Sequence, residues 1–146
     1  MVAAAPHNKA LKTDGRYAPA AQRQDVRRTR AGYMAIPELE QERASRALRR
    51  YCEKVPLEIR DKLTKDFRFV RSDVELFERR PHYSKRHRHV ELVVAKFRYN
   101  AKRGSWTLFW SDRNLRWHAY KGLEDRRDFL ELLREVEADP TCIFWG

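Results

Sequence analysis

Three strand-like segments follow one another between residues 90 and 120, and the turns between them are short. They read VELVVAKFRY (90–99), SWTLFW (105–110) and LRWHAY (115–120), and they are rich in β-branched and aromatic residues. Such segments are typical of β-strands. A parallel neighbour would need a crossover connection of about a dozen residues or more, which these turns cannot supply. The spacing therefore predicts consecutive antiparallel strands, that is, a meander.

Helical periodicity flanks these strands on both sides. The apolar residues between Pro37 and Lys54 recur at three- and four-residue steps, which predicts an amphipathic helix. Pro56 breaks the chain and can start a second short helix that reaches about Lys65. Residues 123–139 show the same periodicity, with acidic residues at the start, where the helix dipole favours them.

The segments DFRFVR and DVELFER alternate apolar and charged residues, and they form one bent strand or two short ones around Ser72 and Asp73. Counted as one, they complete a four-stranded sheet. The predicted fold class is α+β, with two N-terminal helices, a four-stranded antiparallel meander and a C-terminal helix packed on one sheet face.

The turn after Trp110 decides which side chains face the helices. With Arg113 and Asn114 as a two-residue hairpin loop, Trp110 lies opposite Trp117. A slip of one residue would push one of these tryptophans out of the core, which costs roughly a few kcal/mol. The predicted core face is Ala95, Phe97, Tyr99, Trp106, Leu108, Trp110, Trp117 and Ala119. The predicted outer face is Val94, Lys96, Arg98, Thr107, Phe109, Ser111, Arg116, His118 and Tyr120.

The charge of the chain favours an anionic partner. Its 32 Lys and Arg against 21 Asp and Glu give a net charge of +11, which attracts nucleic acid, acidic proteins or anionic lipid. Residues 1–33 hold seven of these cations against two carboxylates and lack hydrophobic periodicity. We therefore expect a basic, disordered tail at 1–33 and a single α+β domain at 34–146. Met34 precedes a typical helix start and is a candidate alternative start of the chain.

The two cysteines, Cys52 and Cys142, are too few for a disulfide framework and lack metal-ligand spacing. No segment approaches the roughly 18 apolar residues of a membrane-spanning helix, and the N-terminus is unlike a secretory signal. These features predict a cytoplasmic protein without a membrane anchor. The pair His87 and His89 lies among cations that would repel a metal, and no nucleotide-binding Gly loop occurs, so we expect neither metal nor cofactor.

The predicted outer face and the loop around residues 79–89 form a candidate interface for DNA or RNA. Lys and Arg contact phosphates, and Phe, Tyr and His stack on bases. An ordinary solvated sheet face would show the same pattern, so that alternative stays open. The candidate residues are Lys96, Arg98, Phe109, Arg116, His118 and Tyr120 on the sheet, and Arg79, Arg80, Lys85, Arg86 and Arg88 in the loop.

Two further functions stay open. His118, Arg113, Arg116 and Tyr120 offer a base, cations and an acid, which are the groups that a metal-independent, toxin-like ribonuclease needs. A module that docks on an acidic partner protein is the other alternative, since the same positive charge would serve it.

Several ordered motifs carry a family resemblance: VPLEIRDKL, VELFERRP, VAKFRYN, WTLFWSDRNLRWHAY and VEADPTCIFWG. On these motifs, residues from about 35 to 146 resemble a bacterial, actinobacterial-type family catalogued as domain of unknown function 3024. Members more often have Gly at the position of Cys142, which argues against a required thiol. The resemblance implies a small, stand-alone, cytosolic protein and no particular catalytic activity.

Overall fold

The computed structural model describes residues 35–85 and 87–145, which form an antiparallel sheet with two helices. The predicted tail at 1–33 and the candidate start at Met34 lie outside the described residues. The helices are α1 (Glu38–Cys52) and α2 (Phe129–Ala138). The strands, in sheet order, are β1 (Thr64–Val70), β2 (Asp73–Pro81), β3 (His89–Asn100), β4 (Ser105–Ser111) and β5 (Trp117–Ala119). The predicted α+β class and the antiparallel meander are confirmed.

The sheet has five strands instead of the predicted four. Arg71 adopts a φ of 59°, in the left-handed region, and lies in the tight turn between β1 and β2. The two strands then pair antiparallel along their length. The pairing begins with Val70 opposite Asp73 beside the turn and ends with Thr64 opposite Arg79. The segment is therefore two strands and not one bent strand.

The second N-terminal helix was a wrong prediction, because Leu57–Ile59 forms only one turn of 3₁₀ helix. Leu57 and Ile59 are both exposed, so this segment buries no apolar face. A short helix without such a face is not stable. Thr64 and the residues after it extend instead to pair with β2. In the part of the chain that the structure describes, no helix is long and apolar enough to cross a membrane.

Helix α2 begins six residues later than the periodicity indicates. Asp128 caps it, and its side chain accepts a hydrogen bond from the backbone N–H of Leu130. Before the cap, Arg126 forms an antiparallel bridge with Trp106 through two backbone hydrogen bonds of 2.7 and 3.1 Å. These bonds hold the residues near Arg126 in an extended conformation, and the helix therefore begins only after them.

Both helices pack on the same face of the sheet, as expected. The rings of Phe97, Trp106 and Phe129 form the centre of the core. The centroid of the Phe129 ring lies 4.7 Å from that of Phe97 and 5.0 Å from that of Trp106. All three are nearly or fully buried. Ala44, Leu48 and Tyr51 of α1 belong to the same apolar cluster.

The register between β3 and β4 is the predicted one, but the register between β4 and β5 is not. Tyr99 lies opposite Trp106, as predicted. Trp110, however, pairs with His118 and not with Trp117. The loop holds three residues, because the backbone N–H of Asp112 bonds to the carbonyl of Arg116 and Leu115 adopts a φ of 62°. A three-residue hairpin loop commonly ends in such a left-handed residue.

This one-residue shift reverses the faces of β5. Trp117 and Ala119 lie on the outer face, while His118 and Tyr120 lie on the inner face. Tyr120 is only 5% exposed, packs 5.2 Å from Phe144 between ring centroids, and donates a hydrogen bond to Glu135. The core thus gains a tyrosine where it loses a tryptophan, so the predicted penalty for slipping does not apply.

Val94 also lies on the opposite side from its prediction. Leu76 pairs with Ala95, and Phe77 with Val93, which leaves Val94 as the extra residue of a β-bulge. Its side chain is buried and belongs to the core cluster.

Candidate nucleic-acid interface

The charged side chains that the strands place on the outer sheet face sum to zero. Four cationic residues, Arg68, Arg79, Lys96 and Arg98, share it with four acidic ones, Asp66, Asp73, Glu75 and Glu91. The arginines are paired within the face. Arg68 contacts Glu75 and Glu91, both at 3.0 Å, Arg79 contacts Glu91 at 2.9 Å, and Arg98 binds both carboxylate oxygens of Asp73. A nucleic acid meets little net attraction on this face.

The aromatic rings of the outer face are covered by the protein's own cations. The guanidinium of Arg98 lies 5.0 Å from the centre of the Phe109 ring. The ammonium of Lys96 lies 4.2 Å from the ring of Trp117, and Lys96 is only 9% exposed. Burial lowers the pKa of Lys96, while the nearby Asp73 carboxylate opposes that shift. Three predicted interface residues, Lys96, Arg98 and Phe109, therefore pack within the face.

The β4–β5 corner brings together three of the four candidate ribonuclease residues. His118 Nε2 lies 2.8 Å from Asp112 Oδ2, and its ring lies over Trp110. That hydrogen bond, with others from the backbone N–H groups of Arg116 and Asn114, holds the pKa of Asp112 below its usual range. Arg113 and Arg116 are exposed on the same hairpin.

Tyr120 does not join this corner, although it was predicted on the outer face as both a stacking and a catalytic residue. It lies on the inner face, as His118 does, but it is buried in the core, where it contacts Phe144 and Glu135. The sequence-based placement of Tyr120 and of His118 on the outer face is therefore wrong. The error comes from the three-residue loop, which shifts the register by one residue and so moves every β5 side chain to the other face of the sheet.

The β2–β3 hairpin tip, residues 82–88, contains the rest of the predicted loop. Arg79 and Arg80 at its base pair with Glu91 and Glu78. Lys85 is exposed and Arg88 half-buried, and neither makes an ion pair within the described residues. Arg86 lies outside the described residues.

Sequence reasoning missed Tyr83 at this tip. Its side chain is 96% exposed, and its ring stacks on that of His82 at a centroid distance of 4.9 Å and an angle of 20°. A tyrosine between the ends of two strands, in an otherwise polar loop, was the signal for it.

An interhelical groove of about 720 Å³ lies between α1 and α2, and all the residues that line it belong to these helices or to the positions just before or after them. Its rim carries six cations against three carboxylates, and its floor is largely apolar, with Ala47, Phe129, Leu130 and Leu133. The cations are Arg43, Arg46, Arg50, Lys54, Arg127 and Arg134, and the carboxylates are Glu40, Asp128 and Glu137. The α1 cations recur at three- or four-residue steps, which places them along one stripe of the helix.

Counting partners in residues 35–85 and 87–145 alone, half of the groove's cations are paired and half are not. Arg43 contacts Glu40, Arg46 contacts Glu42 from outside the groove, and Lys54 contacts Glu137. The remaining three, Arg50, Arg127 and Arg134, are exposed. Their side chains make no hydrogen bond or ion pair to any part of the chain that the structure describes. Unpaired guanidinium groups on one groove create a local positive potential.

The described residues offer no group of three or more His, Cys, Asp or Glu side chains that could hold a metal ion. Cys52 and Cys142 are both free thiols. The candidate chemistry therefore rests on the cations, the Asp112–His118 pair and the exposed aromatic ring of Tyr83.

A family model described as "Domain of unknown function (DUF3024)" matches residues 36–146. No curated protein and no solved structure matches this chain.

Proposed function

The chain belongs to the DUF3024 family, whose description assigns no activity, and we propose that it binds nucleic acid in the interhelical groove. The observation that carries the proposal is the set of three arginines on one groove, Arg50, Arg127 and Arg134, that are unpaired within the described ranges. Arginine presents its donors in a planar fork that matches phosphate geometry, and it loses little hydration on binding. A backbone of regularly spaced phosphates is the ligand that fits several such groups at once.

The groove supports this proposal better than the outer sheet face does. On the sheet, a phosphate would have to displace Asp73, Glu75 or Glu91 from an arginine that already has its partner. In the groove, Arg50, Arg127 and Arg134 are bound to no carboxylate among the described residues. The predicted contacts of Lys96, Arg98, Phe109, Arg116 and His118 stay predictions, and the proposal gives them a secondary part.

The full chain adds electrostatic attraction at longer range. Its net charge of +11 raises the rate and strength of encounter with a polyanion. A cytoplasmic location is part of the proposal, because the two free thiols suit a reducing compartment in which nucleic acid is present.

The test compares two triple variants that remove the same charge. Arg50→Gln, Arg127→Gln and Arg134→Gln empty the groove of its unpaired cations. Arg113→Gln, Arg116→Gln and Lys121→Gln, all exposed at or beside the β4–β5 corner, serve as the matched control. Binding of labelled single-stranded and duplex oligonucleotides is measured by fluorescence anisotropy at low ionic strength, with folding checked by circular dichroism.

We expect the groove variant to lose at least about tenfold more affinity than the control, since each phosphate contact contributes separately to binding. Equal losses would refute the groove as the site, and a larger loss in the control would move the site to the corner. Absence of binding by the unmodified chain would refute nucleic-acid binding altogether. If an acidic protein co-purifies with the chain and stays bound after nuclease treatment, the protein-docking alternative is favoured. That partner would also bind in the groove.

A second candidate function, a metal-independent ribonuclease, is favoured by the hydrogen bond between Asp112 and His118. If the carboxylate accepts the Nε2 proton, Nδ1 is left as a base, as in other carboxylate-oriented histidines. Arg113 and Arg116 would then supply cations for the phosphorane charge. His118→Ala should abolish cleavage of RNA by the purified chain, and intact cleavage in that variant would exclude this site.

A further inference from the structure

Tyr83 exposes more of its side chain than any other large hydrophobic residue in the described ranges. At 96% exposure it contributes nothing to the core. One face of its ring is covered by the His82 ring, with an angle of only 20° between the planes. The opposite face has no ring partner among the residues the structure describes. An aromatic ring presented in this way is a stacking surface with one side vacant.

The hairpin tip fixes this ring pair in place. The backbone N–H of Ser84 donates to His82 Nδ1 at 3.2 Å, which sets the orientation of the imidazole. The backbone N–H of His82 donates to the carbonyl of Arg88, and that of Arg88 donates to the carbonyl of Lys85, both at 2.8 Å. These bonds order His82 and the backbone on both sides of Tyr83, and the stacked His82 ring supports the Tyr83 ring, which lowers the cost of ordering when a ligand binds.

Cations accompany the exposed ring. Lys85 and Arg88 lie on the same tip, and neither forms an ion pair within the described part of the chain. Positive charge next to an open aromatic face is the combination that binds single strands, in which the backbone is anionic and the bases expose their faces. In a duplex the base faces are stacked on one another and cannot reach a protein ring without being flipped out.

We infer that Tyr83, backed by His82 and flanked by Lys85 and Arg88, stacks on an unpaired base, so that single-stranded nucleic acid is the preferred ligand. This inference rests on the proposed function and adds the ligand class to it. The groove supplies sequence-independent phosphate contacts, and the tip discriminates single strands from duplex. A protein partner that packs an apolar group on Tyr83 is the competing occupant.

The test uses the full chain with one single-stranded oligonucleotide and its duplex form. Tyr83→Ala removes the ring, Tyr83→Phe keeps it, and Leu39→Ala removes a side chain that is also largely exposed but lies at the start of α1. Affinities are measured by anisotropy. A single strand that carries 2-aminopurine reports stacking directly, since stacking quenches its fluorescence.

We expect Tyr83→Ala to weaken single-strand binding by about tenfold, equivalent to about 1.4 kcal/mol, and to change duplex binding by less than about twofold. Tyr83→Phe and Leu39→Ala should bind and quench like the unmodified chain. Equal loss on both oligonucleotides, or no loss on either, overturns the stacking role. The groove variant separates the two proposals: if it loses affinity while Tyr83→Ala does not, nucleic-acid binding stands and the single-strand inference fails.

Discussion

Replacement of Tyr120 by Ala should destabilise the fold more than replacement of Trp117 by Ala, although tryptophan is the larger residue. Tyr120 is 5% exposed and packs against Phe144 in the core. Truncating a buried aromatic residue to Ala costs about 3–5 kcal/mol, because the lost burial is joined by a cavity. Trp117 is half-buried on the outer face, under the ammonium of Lys96. Its removal should cost about 1–2 kcal/mol, in proportion to the smaller area withdrawn from water.

A third variant divides the contribution of Tyr120 into ring and hydroxyl. Tyr120→Phe keeps the ring and removes the hydrogen bond to Glu135, which has a length of 2.9 Å. Because Glu135 is only half-buried and can bond to water, we expect a loss of about 1 kcal/mol. Most of the effect of Tyr120→Ala should therefore come from the ring.

Urea unfolding followed by tryptophan fluorescence and circular dichroism measures these differences. The expected order of stability is unmodified chain, Tyr120→Phe, Trp117→Ala and, lowest, Tyr120→Ala, with the middle two close together. If Trp117→Ala were the most destabilising, Trp117 would be the buried residue. That result would restore the two-residue loop at Arg113 and Asn114 and refute the register described above.

Three further predictions concern stability and reactivity. Gly122→Ala should lower the thermal midpoint, at a cost of about 1–3 kcal/mol, because the new Cβ would lie only 2.5 Å from the Tyr120 hydroxyl oxygen; an unchanged midpoint would show that this contact is relaxed. Leu115→Gly should raise the free energy of unfolding by up to about 1 kcal/mol, and with it the urea midpoint, because it relieves a left-handed φ of 62° at an exposed side chain. A lowered midpoint would contradict the loop geometry. With a thiol reagent at neutral pH, Cys142 should react at once and Cys52 only after unfolding, because burial raises the pKa of Cys52 to about 12; two rapid thiols would refute this.

The sequence predicted the sheet where pattern and connection length determine it. Alternation and short turns led to the meander, and the β3–β4 register followed from the pairing of Tyr99 with Trp106. The wrong face of Val94 comes from the β-bulge in β3, and the other two failures in the sheet coincide with non-glycine residues in the left-handed region, Arg71 and Leu115. Neither residue type signals that conformation. The turn after β1 was therefore only one of two alternatives that the sequence left open, and the length of the β4–β5 loop was hidden from sequence reasoning.

The candidate site was harder to predict than the fold, because it depends on contacts between distant segments. Arg68, Glu75 and Glu91 come together only once β1, β2 and β3 are aligned, and this alignment neutralises the face that appeared basic. The α1 arginines that line the groove recur at three- and four-residue steps along the sequence. Their convergence with Arg127 and Arg134 required knowing that α1 and α2 lie side by side.

The salt dependence of binding tests the groove most directly. The logarithm of the binding constant for a single strand falls with the logarithm of salt concentration by about 0.7 for each phosphate contact. If Arg50, Arg127 and Arg134 each contact a phosphate, their replacement by Gln should reduce that slope by about 2. We expect this reduction, together with weaker binding at low salt. A groove variant with the affinity and salt slope of the unmodified chain would contradict it.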